Sequence, residues 1–292
     1  MRRAFAALLA VLVLGGCGSS SKPQSAASNP RAGSLDALWH AGGESVGLIS
    51  GTFDYAPGDV RVSFLVIRHN AKQVVAPRAL VHVAHALAAR PFERTWATLE
   101  HTGPNPIFVA HLTIRRPGRY WIVAAPTGSR VRGLGTLDVH AASQSPAVGA
   151  KAPSSRTPTI ASTHGSYAAL TTRTPPDKGL LRYSVAGSLA AHKPFVVVFA
   201  TPKFCTSRTC GPVVDVVDAV RRRFRRTAVR FIHVEVYKRN NPTLGVNAFM
   251  RQWRLPSEPW TFLVGADGRI RAKFSGPISV GELAAAVRRA LL

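Results

Sequence analysis

The sequence is short of cysteines and long hydrophobic segments, and each shortage excludes a class of protein. Three cysteines in 292 residues are too few for a disulfide-stapled scaffold. The only long apolar run, residues 4–14, cannot span a bilayer, which excludes a multi-pass membrane protein. Hydrophobic residues still make up 46% of the chain, so a wholly disordered protein is also excluded. The length predicts two domains.

Acidic residues are also scarce. The chain has 14 Asp and Glu residues against 38 Lys and Arg residues, which gives a formal net charge of +24. The densest basic cluster holds five arginines in residues 221–226. Such charge favours an anionic partner, such as nucleic acid, anionic lipid or wall polymer, although a solvated basic face is the more ordinary interpretation. No nucleic-acid-binding motif accompanies it, and we expect no specific nucleic-acid partner.

The first seventeen residues predict the cellular location. Two arginines precede the apolar run at residues 4–14, and the sequence Leu-Gly-Gly-Cys then ends at Cys17. A short apolar segment that ends in small residues is typical of a secretory signal peptide. The four final residues resemble the lipobox of bacterial lipoproteins. This resemblance implies removal of residues 1–16, lipidation of Cys17 and anchoring at the extracytoplasmic face of the cell membrane. A plain signal peptide with an incidental cysteine is the alternative.

The middle of the chain has the pattern of a small β-domain. Residues 60–67 and 107–114 are rich in β-branched and aromatic side chains, and turn signals recur about every ten residues. This pattern predicts an antiparallel sandwich. The segment at residues 116–121, Arg-Pro-Gly-Arg-Tyr-Trp, resembles a strand start in immunoglobulin-like bacterial domains. Seven of the ten histidines lie here, but their spacing matches no known ligand set, so we expect no metal site.

The C-terminal half carries the candidate chemistry. Residues 195–200 form an unbroken apolar run, which is typical of a strand that is covered on both faces. Cys205 and Cys210 follow, and apolar residues at helical spacing begin after Pro212. Because two cysteines five positions apart cannot both lie on a regular helix and be bonded, we expect both in the turn before it. In an oxidising compartment such a pair is an inert disulfide or a redox couple, and both alternatives remain open.

This half resembles the thioredoxin-like fold. The resemblance rests on the strand leading to Cys205, the Cys-Gly-Pro at residues 210–212, and Pro259 at the start of a strand–Asp-Gly–strand hairpin. It implies an α/β domain in which Cys205 is the nucleophile, Cys210 is the resolving cysteine, and Pro259 is a cis-proline in the substrate loop. It also implies a thiol–disulfide oxidoreductase that acts on thiol or disulfide proteins and needs no cofactor.

Two other functions are compatible with the sequence. The four residues between the cysteines resemble the spacing in atypical peroxiredoxins, which would imply a peroxidase. The chain could instead be a non-enzymatic binding lipoprotein with a structural Cys205–Cys210 disulfide. A copper-chaperone resemblance of the Sco type would need a distal histidine, and we interpret His233 as an ordinary sheet histidine.

Together these patterns predict two folded domains, an immunoglobulin-like β-sandwich followed by a thioredoxin-like α/β domain. A polar segment rich in Ser, Ala and Pro separates them. The predicted boundaries are a signal peptide at 1–16, a flexible tether at 17–39, the β-sandwich at 40–140, a linker at 141–159 and the α/β domain at 160–292, with its opening segment from about 148.

Overall fold

The computed structural model of the chain describes residues 30–103 and 105–292. The predicted lipidation residue, Cys17, lies outside the described residues, as does the predicted signal peptide. Among the helices that are described, none is both long and apolar enough to cross a membrane.

The first half of the described chain forms a closed seven-stranded barrel. Neighbouring strands follow the order β1-β2-β5-β4-β3-β6-β7, and β7 pairs again with β1. Alternate side chains, such as Val62, Phe64 and Val66 of one strand, fill the interior. A short helix, α1 (Leu35–His40), packs outside the barrel. The strands are β1 (Glu44–Ser50), β2 (Gly58–Ile67), β3 (Arg78–Ala84), β4 (Glu93–Glu100), β5 (Ile107–Ile114), β6 (Gly118–Pro126) and β7 (Val131–Val139).

The barrel shows that the predicted immunoglobulin-like sandwich is wrong. The first and last strands pair in parallel, with Glu44 opposite Val131 and Gly47 opposite Leu134, whereas the other strand pairs are antiparallel. This last pairing closes the ring, so no open sheet edges remain to form a two-layer sandwich. Alternating hydrophobicity locates strands and their inner faces, but it contains no information on which strands pair.

The second half forms a four-stranded sheet with the order β11-β10-β8-β9. The edge strand β9 is parallel to β8, and β10 is antiparallel to both β8 and β11. The elements of this unit are α2 (Val185–Ala190), β8 (Phe195–Phe199), α3 (Cys210–Arg223), β9 (Arg230–Val234), α4 (Ala248–Gln252), β10 (Trp260–Val264), β11 (Ile270–Ser275) and α5 (Val280–Leu291).

Helices cover both faces of this sheet, which explains the unbroken apolar run of β8. Val196 and Val198 join the cluster that contains the apolar sides of α3 and α5. Phe195, Val197 and Phe199 point the other way, into a cluster with side chains of α2 and α4. Because successive side chains of a strand alternate between faces, a strand buried on both must be apolar throughout.

The predicted fold class as a whole is therefore wrong. A closed barrel of mixed pairing and a second, small sheet with few helices do not correspond to an immunoglobulin-like sandwich beside an α/β thioredoxin-like domain. Two of the helices, α2 and α4, have only six and five residues. Within residues 141–177 the structure has no helix or named strand. This segment instead packs alongside the sheet, where Gly149 N–H donates to Ile270 O at 2.8 Å.

The barrel and the sheet unit are in direct contact. Arg61 in β2 forms a two-pronged ion pair with Glu282 in α5, at 2.7 and 2.9 Å. Gly276 has φ +80°, and a Cβ there would lie 1.8 Å from the Gly51 carbonyl oxygen, so only glycine permits this approach. Phe53 N–H also donates to Ser275 Oγ at 2.8 Å.

A buried carboxylate adds a further contact between the two units. The Asp54 side chain has no exposed surface and lies 3.6 Å from Lys273 Nζ. Burial acts to raise the pKa of Asp54, but hydrogen bonds from Ser143, the Gln144 amide and Ser145, with the charge of Lys273, outweigh burial and lower it. Hydrogen-bond donors of the protein therefore replace the water that burial removes from the Asp54 carboxylate. The contact is specific because it depends on these particular donors.

Candidate redox site

The structure joins Cys205 and Cys210 in a disulfide, with Cα atoms 5.9 Å apart. Cys205 lies in the turn after β8, and Cys210 is the first residue of α3. The helix thus begins two residues earlier than Pro212, where the sequence pattern placed its start. Pro212 remains compatible with the helix because amides in the first turn have no intrahelical partner.

The two cysteines differ in their exposure. Cys210 is completely buried and belongs to the apolar cluster beneath α3. Cys205 is only half-buried, and the residues after it, 206–208, are exposed. Of the two residues, Cys205 is therefore the one that faces solvent. The difference in access arises from position, since one cysteine begins the helix and the other precedes it in an open turn.

The sulfur of Cys205 occupies the position of a helix cap. Thr209 precedes α3, but its side chain makes no capping hydrogen bond. Instead, the first helical amide, that of Cys210, donates to Cys205 Sγ at 3.3 Å, and the Ser207 hydroxyl lies 3.2 Å from the same sulfur. A negative charge is favoured at a helix N-terminus. These donors would therefore stabilise a thiolate on Cys205 once the disulfide is reduced.

A chain of hydrogen bonds that begins at a buried carboxylate fixes the loop that precedes Cys205. Glu235 accepts hydrogen bonds from the amide and hydroxyl of Thr172, at 2.6 and 2.7 Å. The Thr172 hydroxyl in turn accepts from the Lys203 amide at 3.2 Å. Glu235 is buried, and its second carboxylate oxygen has no hydrogen-bond partner among residues 30–103 and 105–292. The backbone at Lys203, two residues before Cys205, is thereby tied through Thr172 to the buried carboxylate of Glu235.

His233 lies beside this chain and is held by its neighbours. Its Nε2 is 3.0 Å from the Ala200 carbonyl oxygen, which can only accept, so Nε2 carries the proton. Burial lowers the pKa of His233, with Glu235 acting in the opposite direction, and the ring is neutral at neutral pH. The described part of the chain holds no cluster of three potential metal ligands. The structure thus gives His233 a hydrogen-bonding role in the sheet.

Pro259 lies at the same end of the sheet as the disulfide. Trp260 pairs with Phe199, so the start of β10 lies next to the end of β8, from which the cysteine loop departs. The Glu258–Pro259 peptide bond is cis, and the Pro259 carbonyl accepts from the Gly276 amide at 2.9 Å. The topology thus places this proline beside the loop that carries both cysteines.

Two half-buried side chains line the surface beside this proline. Burial raises the pKa of Glu258, the residue before Pro259, and burial together with the Glu258 charge raises the pKa of Tyr237. The Tyr237 ring meets the ring of Phe204 edge-on, with centroids 6.3 Å apart. A substrate that approaches Cys205 would therefore meet an aromatic and partly desolvated surface.

The barrel also reaches the start of α3. A Cβ on Gly103, in the connection between β4 and β5, would lie 2.8 Å from Pro212 Cβ. The barrel therefore contacts the helix two residues after Cys210, and at Gly276 it contacts the segment that binds the Pro259 carbonyl. The candidate site is built by the sheet unit, but the barrel abuts it at two points.

Three residues that shape this site were not predicted from the sequence: Ser207, Thr172 and Glu235. The sequence did contain a signal for Glu235, which stands between Val234 and Val236 in an otherwise apolar segment. A carboxylate in such a segment is buried and must find donors. Ser207 and Thr172 carry no comparable signal, because exposed and loop hydroxyls are common.

Comparisons with known proteins give little further information. No family model matches the chain, and neither does any curated protein. Among the solved structures that match is a thiol:disulfide interchange protein, a thioredoxin family protein from Chlorobium tepidum TLS. It is 18% identical, with a TM-score of 0.31, and the match covers 38% of this chain and 86% of that one. At this TM-score the similarity supports no conclusion about fold or function. A proposal on function must therefore rest on the geometry of the site.

Proposed function

We propose that the protein is a thiol–disulfide oxidoreductase that uses the Cys205–Cys210 pair. The observation that supports this most directly is the position of Cys205 Sγ. It is half-exposed and lies where a helix amide and a hydroxyl can stabilise its thiolate, whereas Cys210 is buried. A purely structural disulfide needs neither solvent access to a sulfur atom nor hydrogen-bond donors that stabilise a thiolate.

The proposed reaction transfers two electrons from a substrate dithiol to the disulfide. A substrate thiolate attacks Cys205 Sγ, the Cys205–Cys210 bond breaks, and Cys210 leaves as a thiolate that takes up a proton. The second substrate thiolate then attacks the substrate sulfur of the mixed disulfide and releases Cys205 as a thiolate. The products are a substrate disulfide and a reduced cysteine pair. In the reverse direction Cys205 attacks a substrate disulfide and Cys210 resolves the intermediate.

Pro259 is the proposed wall of the substrate site. Its place at the end of the sheet from which the cysteine loop departs supports contact between the Pro259 segment and an extended segment of the substrate. Protein thiols are the proposed substrates, and the half-buried surface favours an apolar residue next to the reacting cysteine.

We also propose that the protein is anchored by lipid at Cys17 on the extracytoplasmic face of the bacterial cell membrane. The support is the Leu-Gly-Gly-Cys sequence after an apolar segment of signal-peptide length. Replacement Cys17→Ala should release the protein from the membrane fraction into the soluble fraction. Retention of the variant in the membrane would contradict this anchor.

Trapping of mixed disulfides tests the proposed chemistry. The full-length Cys210→Ser variant should accumulate mixed disulfides through Cys205, because no resolving thiol remains. The matched Cys205→Ser variant should trap few, since Cys210 is buried. Both can be scored by non-reducing electrophoresis and by glutathione adducts in intact-mass spectra.

One outcome of this experiment, and two results from the parent protein, would count against the proposal or its details. Trapping by Cys205→Ser instead of Cys210→Ser would reverse the two roles. A pair that cannot be reduced without unfolding would be structural, and the oxidoreductase function would be rejected. Rapid turnover of hydrogen peroxide by the reduced protein, without transfer to protein thiols, would favour a peroxidase.

A further inference from the structure

The arginine cluster at residues 221–226 has no part in the proposed redox site. It lies at the C-terminal end of α3, and a helix of this length separates it from Cys210 by about 20 Å. A cluster of cations at the last turn is favoured by the helix dipole, which accounts for the arginines of α3 itself. The dipole does not account for the cations that other segments bring to the same place.

A cleft of about 380 Å³ opens at this end of the helix. Five cationic side chains from four separate segments line it, and the described residues contribute no carboxylate to its lining. Like charges repel, so such a convergence without a counter-ion is unfavourable on its own. The lining cations are Arg182, Lys193, Arg221, Arg225 and Arg230.

One of these cations, Arg221, is already paired with buried carboxylates. Arg221 lies 2.7 Å from Asp218 and 3.9 Å from Asp177, and both carboxylates are largely buried. Its guanidinium also lies where a Cβ on residue 179 would be, so Gly179 leaves room for it. Arg221 is therefore held in place at the base of the cleft with its charge offset by these carboxylates, and the other four cations of the lining supply the positive charge of the cleft.

Two of the remaining cations are held in place by neutral groups. Arg230 donates to the Gly187 carbonyl at 3.2 Å, and its guanidinium stacks on the Tyr183 ring at 4.5 Å. Arg225 donates to the Arg222 carbonyl at 3.4 Å. Carbonyls and aromatic rings orient a guanidinium without cancelling its charge, so its other N–H groups stay available.

We propose that this cleft binds a phosphate group. Guanidinium groups pair with phosphate through two parallel hydrogen bonds, and oriented arginines reduce the entropy lost on binding. The cleft is near the lower end of the size range of small-molecule sites, which suits inorganic phosphate, pyrophosphate or a lipid phosphate head group. This site is independent of the disulfide and of the proposed oxidoreductase activity.

Titration calorimetry on the full-length protein with inorganic phosphate and pyrophosphate tests the free-phosphate source. Flotation with phosphatidylglycerol vesicles, against phosphatidylcholine vesicles, tests the lipid source. The cleft variant Arg182→Gln/Arg225→Gln should lower the affinity for the phosphate ligand at least about tenfold, in whichever of the two assays shows binding. The reason is that it removes two charged donors. Both side chains are exposed, so folding should be unaffected.

The matched control is Arg288→Gln/Arg289→Gln, which removes the same charge from exposed positions on α5, outside the cleft. The control should bind within about twofold of the parent protein, because net charge alone contributes only weakly at physiological salt. Equal losses in both variants would show general charge attraction and overturn the proposal. Absence of binding by the parent protein in both arms would overturn it as well.

Discussion

The barrel and the sheet unit differ in what they bury. The barrel core consists of aliphatic and aromatic side chains, including Tyr55 and Tyr120, and the one buried carboxylate of the described barrel half, Asp54, pairs with Lys273 at the contact between the units. The sheet unit buries Asp218, His233 and Glu235, together with the disulfide. Burial of a charge costs free energy unless it is paired or used. Because Asp54 is used at the contact between the units, whereas Glu235 is linked through Thr172 to the cysteine loop, the sheet unit is the better candidate for chemistry.

Loss of the Asp54 contact between the two units should have the largest effect on stability. Asp54→Ala removes the carboxylate that accepts from Ser145 and faces Lys273, and it leaves the Lys273 charge buried without its partner. We expect a loss of about 3 kcal/mol in the free energy of unfolding, measured by chemical denaturation. The exposed control Asp59→Ala should change it by less than about 0.5 kcal/mol. Similar losses in both variants would contradict a specific contact.

The pH dependence of the same contact follows from the lowered pKa of Asp54. A carboxyl with a depressed pKa contributes stability above its ordinary value of 3.8, and that contribution is lost as the pH falls through its lower native pKa. The parent protein should therefore lose stability below pH 3.8 more steeply than Asp54→Ala. Parallel curves in this range would argue that Asp54 is not ionised in the native state.

Reduction of the disulfide should affect one unit and spare the other. Closing so short a loop stabilises by about 2 kcal/mol in the chain-entropy description, and the effect should appear in α3 and β8. Hydrogen exchange of the barrel amides should not change on reduction, whereas amides around Cys210 should exchange faster. Faster exchange throughout the barrel would show that the two units unfold together.

The sequence predicted the elements of the sheet unit better than those of the barrel. The apolar run of β8, the helical spacing after Pro212 and the hairpin after Pro259 identified strands and a helix that the structure contains. In the barrel, β4 was not predicted, because its sequence Glu-Arg-Thr-Trp-Ala-Thr-Leu-Glu is mostly polar. It is a strand because β3 and β5 pair with it on both sides. Strand pairing depends on residues distant in sequence, which local periodicity cannot supply.

The candidate site was predictable only in part for a related reason. The spacing of Cys205 and Cys210 around a helix start can be recognised in one segment of the chain. The polar chain from Glu235 through Thr172 to Lys203 joins three separate segments, so it becomes visible only once they are folded together. The start of α3 at Cys210 was missed because Pro212 is a strong signal for the first helical position but is also tolerated at the third.

A smaller effect should follow from loss of one donor to the reactive sulfur. In the reduced protein, Ser207→Ala removes the hydroxyl 3.2 Å from Cys205 Sγ and should make its thiolate less stable. We expect alkylation of Cys205 by iodoacetamide at pH 7 to slow about threefold. The neighbouring exposed residue provides the control Thr206→Ala, which should react like the parent protein. Equal rates for all three proteins would show that the hydroxyl does not stabilise the thiolate.

The smallest effect concerns the half-buried carboxyl beside Pro259. Burial raises the pKa of Glu258 above its ordinary value of 4.5, so the native protein loses stability as the pH rises through that raised pKa. Glu258→Gln should therefore be more stable than the parent at pH 7, by less than about 1 kcal/mol, and nearly equal to it at pH 4. Thermal denaturation at both pH values measures the difference. A variant that is less stable at pH 7 would show that the carboxylate makes a favourable contact instead.

The reduction potential of the Cys205–Cys210 pair, measured in glutathione redox buffers on the full-length protein, tests the central claim most directly. Donors from the Cys210 amide and Ser207 favour the reduced form by stabilising the Cys205 thiolate, which raises the potential. The proposed oxidoreductase should therefore have a potential above about −300 mV, where exchange with protein thiols is practical. A potential below about −300 mV would identify a structural disulfide and contradict the proposed function.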